Sequence, residues 1–168
     1  MALLKILTYP DDRLRQVAQP VTEWSSDLNT FTQDMLETMY DDQGVGLAAT
    51  QVGVLKRIIV VDCGLEHPEP HILINPEIIE VNGLTTFAEG CLSVPGLRAE
   101  IDRPERIRIR YQVLDGTESE LEADGLLAIC IQHEIDHLDG KLYFDHLPEL
   151  ERKAFIQSYQ NLRQGVVQ

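Results

Sequence analysis

The stretch "QHEIDHLDG", residues 132–140, places His133, Glu134 and His137 in the pattern H-E-x-x-H. On a helix, two histidines four residues apart lie one turn apart on one face, so both imidazoles can reach a single cation. A carboxylate beside them can take the proton of water activated by that cation. The pattern points to metal-assisted hydrolysis. It leaves open whether the bond cleaved is a peptidase's or that of another amide.

A tetrahedral catalytic ion takes three protein ligands and keeps one position open. In peptidases with this motif the third ligand lies downstream, in the extended form H-E-x-x-H-x-x-G-x-x-H. Here the match runs through Gly140, but the final histidine position is Tyr143, and only His146, Glu149 and Glu151 remain as downstream substitutes. Upstream, "EGCLSVPG" at 89–96 brackets Cys91 between Gly90 and a Pro-Gly turn, where the backbone can bend toward a site. Cys91 is the better candidate. Cys63 and Cys130 read as small buried hydrophobes.

These residues need elements to position them. "LLAICIQ" before His133 is almost wholly apolar, so the motif helix, from about Asp124 as N-cap to Gly140 as C-terminal stop, should be central and its histidines should face a dry interior. Leu28, Phe31, Met35 and Met39 recur at helical spacing over Ser26 to Tyr40, with Ser or Asp as the cap. A last amphipathic helix is expected from about Pro148 to Leu162. Strands are expected at 57–62, 71–83, 106–113 and over "SELEAD", residues 119–124. In "RIRIRYQV" Ile107, Ile109, Tyr111 and Val113 should face the core and Arg106, Arg108 and Arg110 the water. Strands around one buried helix, with helices at both ends of the chain, indicate an α+β fold.

Composition narrows the partners. A chain of 168 residues is most economically one domain. With 28 acidic against 14 basic side chains the formal charge is -14, which opposes broad affinity for nucleic acid or an anionic membrane. The arginine row is accordingly read as a solvated strand face. No apolar run approaches spanning length, the start turns polar without a cleavage site, and the odd count of three cysteines fits a reducing compartment. A cytoplasmic protein is expected.

In chain order, "GVGLAATQVG" at 44–53, "EGCLS" at 89–93 and "QHEIDHLDG" at 132–140 closely resemble the three signature motifs of the bacterial peptide deformylases. The likeness extends through "DDRLRQVAQPV" and "ILINPE", so it covers nearly the whole chain. It implies a compact α+β domain over residues 1–168 whose H-E-x-x-H helix is enclosed by antiparallel sheets. It also implies a reaction: removal of the N-formyl group from the initiator methionine of newly synthesised polypeptides, with release of formate.

By motif position, the resemblance makes Cys91, His133 and His137 ligands of one divalent ion, Fe²⁺ natively, with Zn²⁺, Ni²⁺ or Co²⁺ able to replace it. Glu134 would be general base and acid; Gln51 and the backbone N–H of Leu92 would stabilise the oxyanion. Gly46 would pair with the substrate backbone, with Gly90 beside the cysteine also at the substrate. Val45, Phe87, Leu126, Ile129 and Cys130 would form the methionine pocket, although pocket and core draw on the same residue types. Arg98 would contact the substrate backbone and Glu89 would hydrogen-bond to a ligand, and either could equally form a plain structural pair. The partners expected are N-formylmethionyl nascent peptides. Transient ribosome contact is left open, the poorly basic C-terminal segment giving it little support.

Two rival readings use the same residues. A true metallopeptidase lacks its downstream ligand here. A catalytically silent module that recognises N-terminal methionine has no need of Glu134 and Gln51, and both are present.

Overall fold

The computed structural model describes residues 2–64 and 66–165; positions 1, 65 and 166–168 of the expected domain lie outside them. Helix α1 spans Ser26–Asp41 and helix α2, which carries the motif, spans Gly125–Leu138. Helix α3 is Glu149–Arg163. Seven strands lie between α1 and α2: β1 Gly46–Ala48, β2 Ile58–Asp62, β3 Pro70–Asn82, β4 Thr85–Cys91, β5 Val94–Arg103, β6 Arg106–Gln112 and β7 Glu118–Asp124. All pairings among them are antiparallel, in a five-stranded sheet of order β1-β2-β3-β6-β7 and a separate β4–β5 sheet.

Strand β2 is buried along its whole length because it is covered on both faces. Ile58 and Val60 pack with Met35 and Met39 of α1, whereas Ile59 and Val61 pack with Ala128, Ile131 and Ile135 of α2. Alternation by two along the strand thus builds two cores, one per face. Ile107 and Ile109 of β6 join the α2 side. On the opposite face Arg108 pairs with Glu80 and Glu122, and Arg110 with Glu118, so two of the row's three arginines are neutralised by neighbours on β3 and β7. Val113 falls just beyond β6 and is half-buried, where the sequence placed it in the core.

The small sheet departs from expectation. Residues 89–96 were expected to form a loop with a Pro-Gly turn, yet Pro95 and Gly96 lie within β5, and the turn is Leu92–Ser93, closed by the pair Cys91 and Val94. A two-stranded sheet has an unpaired side on each strand, where a proline removes no ladder bond. Val94 and Ile101 bury against Leu142, Tyr143, Phe144 and Tyr159 in a third core. Capping also differs: Ser25 and Asp124 occupy the N-cap positions of α1 and α2 without a side-chain cap bond. Both helices are held by burial of their apolar faces instead. Gly140 does stop α2, with φ +75° and its N–H donating to the carbonyl of His137. No helix among the described residues is long and apolar enough to cross a membrane.

Candidate metal centre and active-site cleft

The ligand atoms of Cys91, His133 and His137 all lie within 4.8 Å of one another, the one such cluster among the described residues. The spacing His133–His137 is a property of α2, but Cys91 reaches it from the end of β4. Its Sγ lies 3.3 Å from Nε2 of His137. The downstream substitutes are elsewhere: His146 binds Asp136, Glu149 pairs with Lys153, and Glu151 is exposed. Tyr143, at the position of the missing third histidine, stacks on His133 with ring centroids 5.6 Å apart. An aromatic wall has taken the place of a ligand.

Buried partners set the state of each imidazole. Nδ1 of His133 is 2.9 Å from Oε1 of Glu89, so the carboxylate accepts that N–H, and Nε2 is the ring atom left to meet a cation once it has given up its proton. Although burial works against it, the hydrogen bonds with Cys91 and Glu89 hold His133 well above its ordinary pKa. Burial, reinforced by the charge of His133, holds His137 well below. A neutral His137 is the form that donates a lone pair. Arg103, 4% exposed, meets Glu89 through two hydrogen bonds of 2.6 and 3.0 Å and reaches Asp136 at 2.9 Å. Despite burial, which raises it, the His133 and Arg103 contacts keep the Glu89 carboxyl below the usual range.

Glu134 is buried and outside the cluster, and its Oε1 has no hydrogen-bond partner. Desolvation raises its pKa to about 7, with the Glu89 and Asp136 charges adding and those of His133 and Arg103 opposing. A buried, unpartnered carboxylate near neutrality is suited to proton transfer. Gln51 sits in the 3-10 turn Ala49–Val52. The N–H of Ala48 donates to Oε1 of Gln51 at 2.9 Å, which fixes the amide and directs Nε2 to Ser93 Oγ at 3.0 Å and toward Cys91 Sγ at 3.6 Å. An N–H donor thus stands beside the cluster.

A cleft of about 1030 Å³ opens over these groups. Every residue that the resemblance placed at the site lines it except His137, which is buried. Val45 and Phe87 are exposed at its mouth, and Ile129 and Cys130 are buried within it. Gly46 lies on β1, an outermost strand of the five-stranded sheet. Arg98 is exposed and donates to the carbonyl of Ala88. Cys63 is half-buried rather than buried, because it follows β2 at the edge of the core. The sequence reading missed Ser93, Arg103, Asp136 and the packing role of Tyr143. Ser93 and Asp136 stand within the quoted motifs, but the contacts of Ser93 with Gln51 and of Asp136 with Arg103, like those of Arg103 with Glu89, join residues distant in the chain.

The donor set fits a divalent cation. Thiolate and imidazole suit iron, zinc, cobalt and nickel, and three such atoms around one point leave a position for substrate.

Comparisons with known proteins agree. The pattern of the Polypeptide deformylase family matches residues 3–153. A peptide deformylase of Alkalilimnicola ehrlichii is 54% identical over 99% of this chain and 95% of its own. The crystal structure of a peptide deformylase from Legionella pneumophila superposes with a TM-score of 0.91 at 42% identity, covering 97% of this chain and 96% of that one. That of the Ehrlichia chaffeensis peptide deformylase in complex with actinonin gives 0.90 at 39%, covering 96% and 98%.

Proposed function

The chain belongs to the polypeptide deformylase family, and from that premise we propose that it removes the N-formyl group from the initiator methionine of new polypeptides, acting as one catalytic domain. The observation that carries this is the Cys91, His133 and His137 cluster with the unpartnered Glu134 carboxylate beside it. Those three residues would hold one divalent ion, Fe²⁺ natively, with Zn²⁺, Ni²⁺ or Co²⁺ as substitutes. Such an ion supplies Lewis acidity, lowering the pKa of water and polarising a carbonyl.

The chain's own residues supply the rest. Glu134 takes a proton from water as the C–O bond to the formyl carbon forms. Nε2 of Gln51 and the backbone N–H of Leu92 donate to the oxygen that becomes negative, each such donor typically worth about 3 kcal/mol of barrier. Glu134 then gives the proton to the departing nitrogen, the C–N bond breaks, and formate and a free amine result. Glu89, held by Arg103, keeps His133 in the tautomer that presents Nε2. Gly46 on its outer strand is placed to pair with a peptide backbone, while Val45, Phe87, Leu126, Ile129 and Cys130 receive the first side chain.

The test is product analysis on formyl-Met-Ala-Ser. Formate should be released with the Met-Ala bond intact; free Met or Ala-Ser without formate would show a peptidase instead. The formyl carbon bears only hydrogen, whereas an acetyl methyl would crowd Gln51 and Leu92. The acetyl peptide should therefore lose at least about a hundredfold in kcat/KM, roughly 3 kcal/mol.

A further inference from the structure

The geometry points to a second reactive site: Cys63 and Cys130 form a dithiol that a peroxide closes to a disulfide, altering the cleft wall on the Glu134 face of α2. Neither sulfur has a part in the deformylation chemistry above. Cys63 follows the last residue of β2, and Cys130 lies on α2, whose apolar face packs on that strand. Cys63 packs against the core cluster that contains Cys130, and the interaction between the two thiols shifts the acidity of each. Facing elements in contact are where a disulfide can close with little backbone movement.

The two sulfurs differ in access. Cys63 is half-buried, open enough for a small oxidant, whereas Cys130 is buried and lines the cleft. Four residues separate Cys130 from Glu134, so the two share a face of α2. The N–H of Asp62 donates to the carbonyl of Val45 at 2.8 Å, tying the segment before Cys63 to another residue that lines the same cleft. Because Cys130 lines the cleft, a Cys63–Cys130 bond would alter the wall of the space where the first side chain is received.

Their acidities assign the roles. The interaction with Cys130 lowers the Cys63 pKa against the effect of burial, and the same interaction with burial pushes the Cys130 thiol up. The Cys63 thiolate attacks the peroxide; an S–O bond forms, the O–O bond breaks, and the leaving hydroxide takes a proton to become water. Cys130 then attacks the Cys63 sulfenic sulfur. An S–S bond forms, the S–O bond breaks, and hydroxide leaves as water with the Cys130 proton. The dithiol has lost two electrons and the peroxide has gained them. A thiol reductant reverses the change by exchange.

The experiment titrates the nickel-loaded holoenzyme with hydrogen peroxide, blocks free thiols and maps the peptides by mass spectrometry. The expected product lacks two hydrogens, joins the peptides of Cys63 and Cys130, and reverts with dithiothreitol. Cys63→Ser should not form it and should keep the unoxidised activity. In Cys130→Ala, Cys63 should advance to sulfinic acid for want of a resolving thiol. Both thiols still free once Cys91 is oxidised, or Cys63 sulfinic with Cys130 free in the wild type, would overturn the proposal. The cross-link does not depend on the deformylase reading, but one further measurement does. The oxidised wild type should show KM raised about three- to tenfold with kcat within about twofold, and an unchanged KM in cross-linked protein would overturn the effect on the cleft.

Discussion

A Cβ built on Gly46 would stand 2.6 Å from Oε2 of Glu134 and 3.0 Å from its carboxyl carbon. Strand β1 is therefore in direct contact with the motif carboxylate. The glycine is required by space rather than by its backbone angles, since Gly46 is not among the residues of positive φ.

Replacing Gly46 by alanine should displace the carboxylate while leaving the ligands alone. We expect kcat/KM to fall about ten- to a hundredfold, about 1.4 to 2.7 kcal/mol, through misplacement of the proposed proton-transfer group. Metal analysis beside the kinetics decides it, because equal loss of metal and activity would place the damage at the histidines.

Glu134→Gln should keep the ion and lose nearly all turnover if, as proposed, the residue moves protons without being a ligand. Its pH dependence is a second check, read on metal-stripped protein. The folded pKa of about 7 exceeds the ordinary 4.5, so the folded chain keeps a proton that the unfolded chain has lost in that interval. The stability Glu134 contributes is full below about 4.5 and is lost as pH rises through about 7. Denaturant unfolding should show the glutamine variant gaining on the wild type by roughly 3 kcal/mol across this window. Parallel curves would contradict the assignment.

Cys91→Ala should retain far less metal than Cys63→Ala after identical loading and desalting. Undiminished metal in the Cys91 variant would show that the third ligand lies elsewhere.

Arg103→Leu leaves the buried Glu89 carboxylate without its cationic partner. Breaking a buried pair in this way costs about 3–5 kcal/mol. Adding Glu89→Gln should recover part of that loss, because the uncompensated charge is removed while an amide oxygen can still accept from His133. Equilibrium unfolding of the single and double variants measures both effects, and a double variant no more stable than the single one would assign the loss to packing.

What the sequence revealed and what it hid follow from range. The i, i+4 spacing of His133 and His137 is helical geometry, and the apolar run before it required a buried helix, so both were legible. The β4–β5 hairpin was hidden because Gly90, Pro95 and Gly96 carry the composition of a loop, and β4 shows little burial beyond Glu89. Arg103 resembles any charged residue of an acidic chain until the fold sets it on Glu89. Tyr143 read as a missing ligand, and only its stacking on His133 shows what stands there.

The β4–β5 hairpin has no pairing to the five-stranded sheet; it rests on the Tyr143–His146 turn and on α3. Its links to α2 are Cys91 at the cluster, Glu89 on His133 and Arg103 on Asp136. An ion bound there ties together two units that could open separately, and its binding free energy adds to their union. Amide hydrogen exchange should therefore quicken over 85–103 on metal removal, while β2, sealed between two cores, keeps its protection. On this reading a newly made chain awaiting its ion should be softest at the wall proposed to meet the peptide.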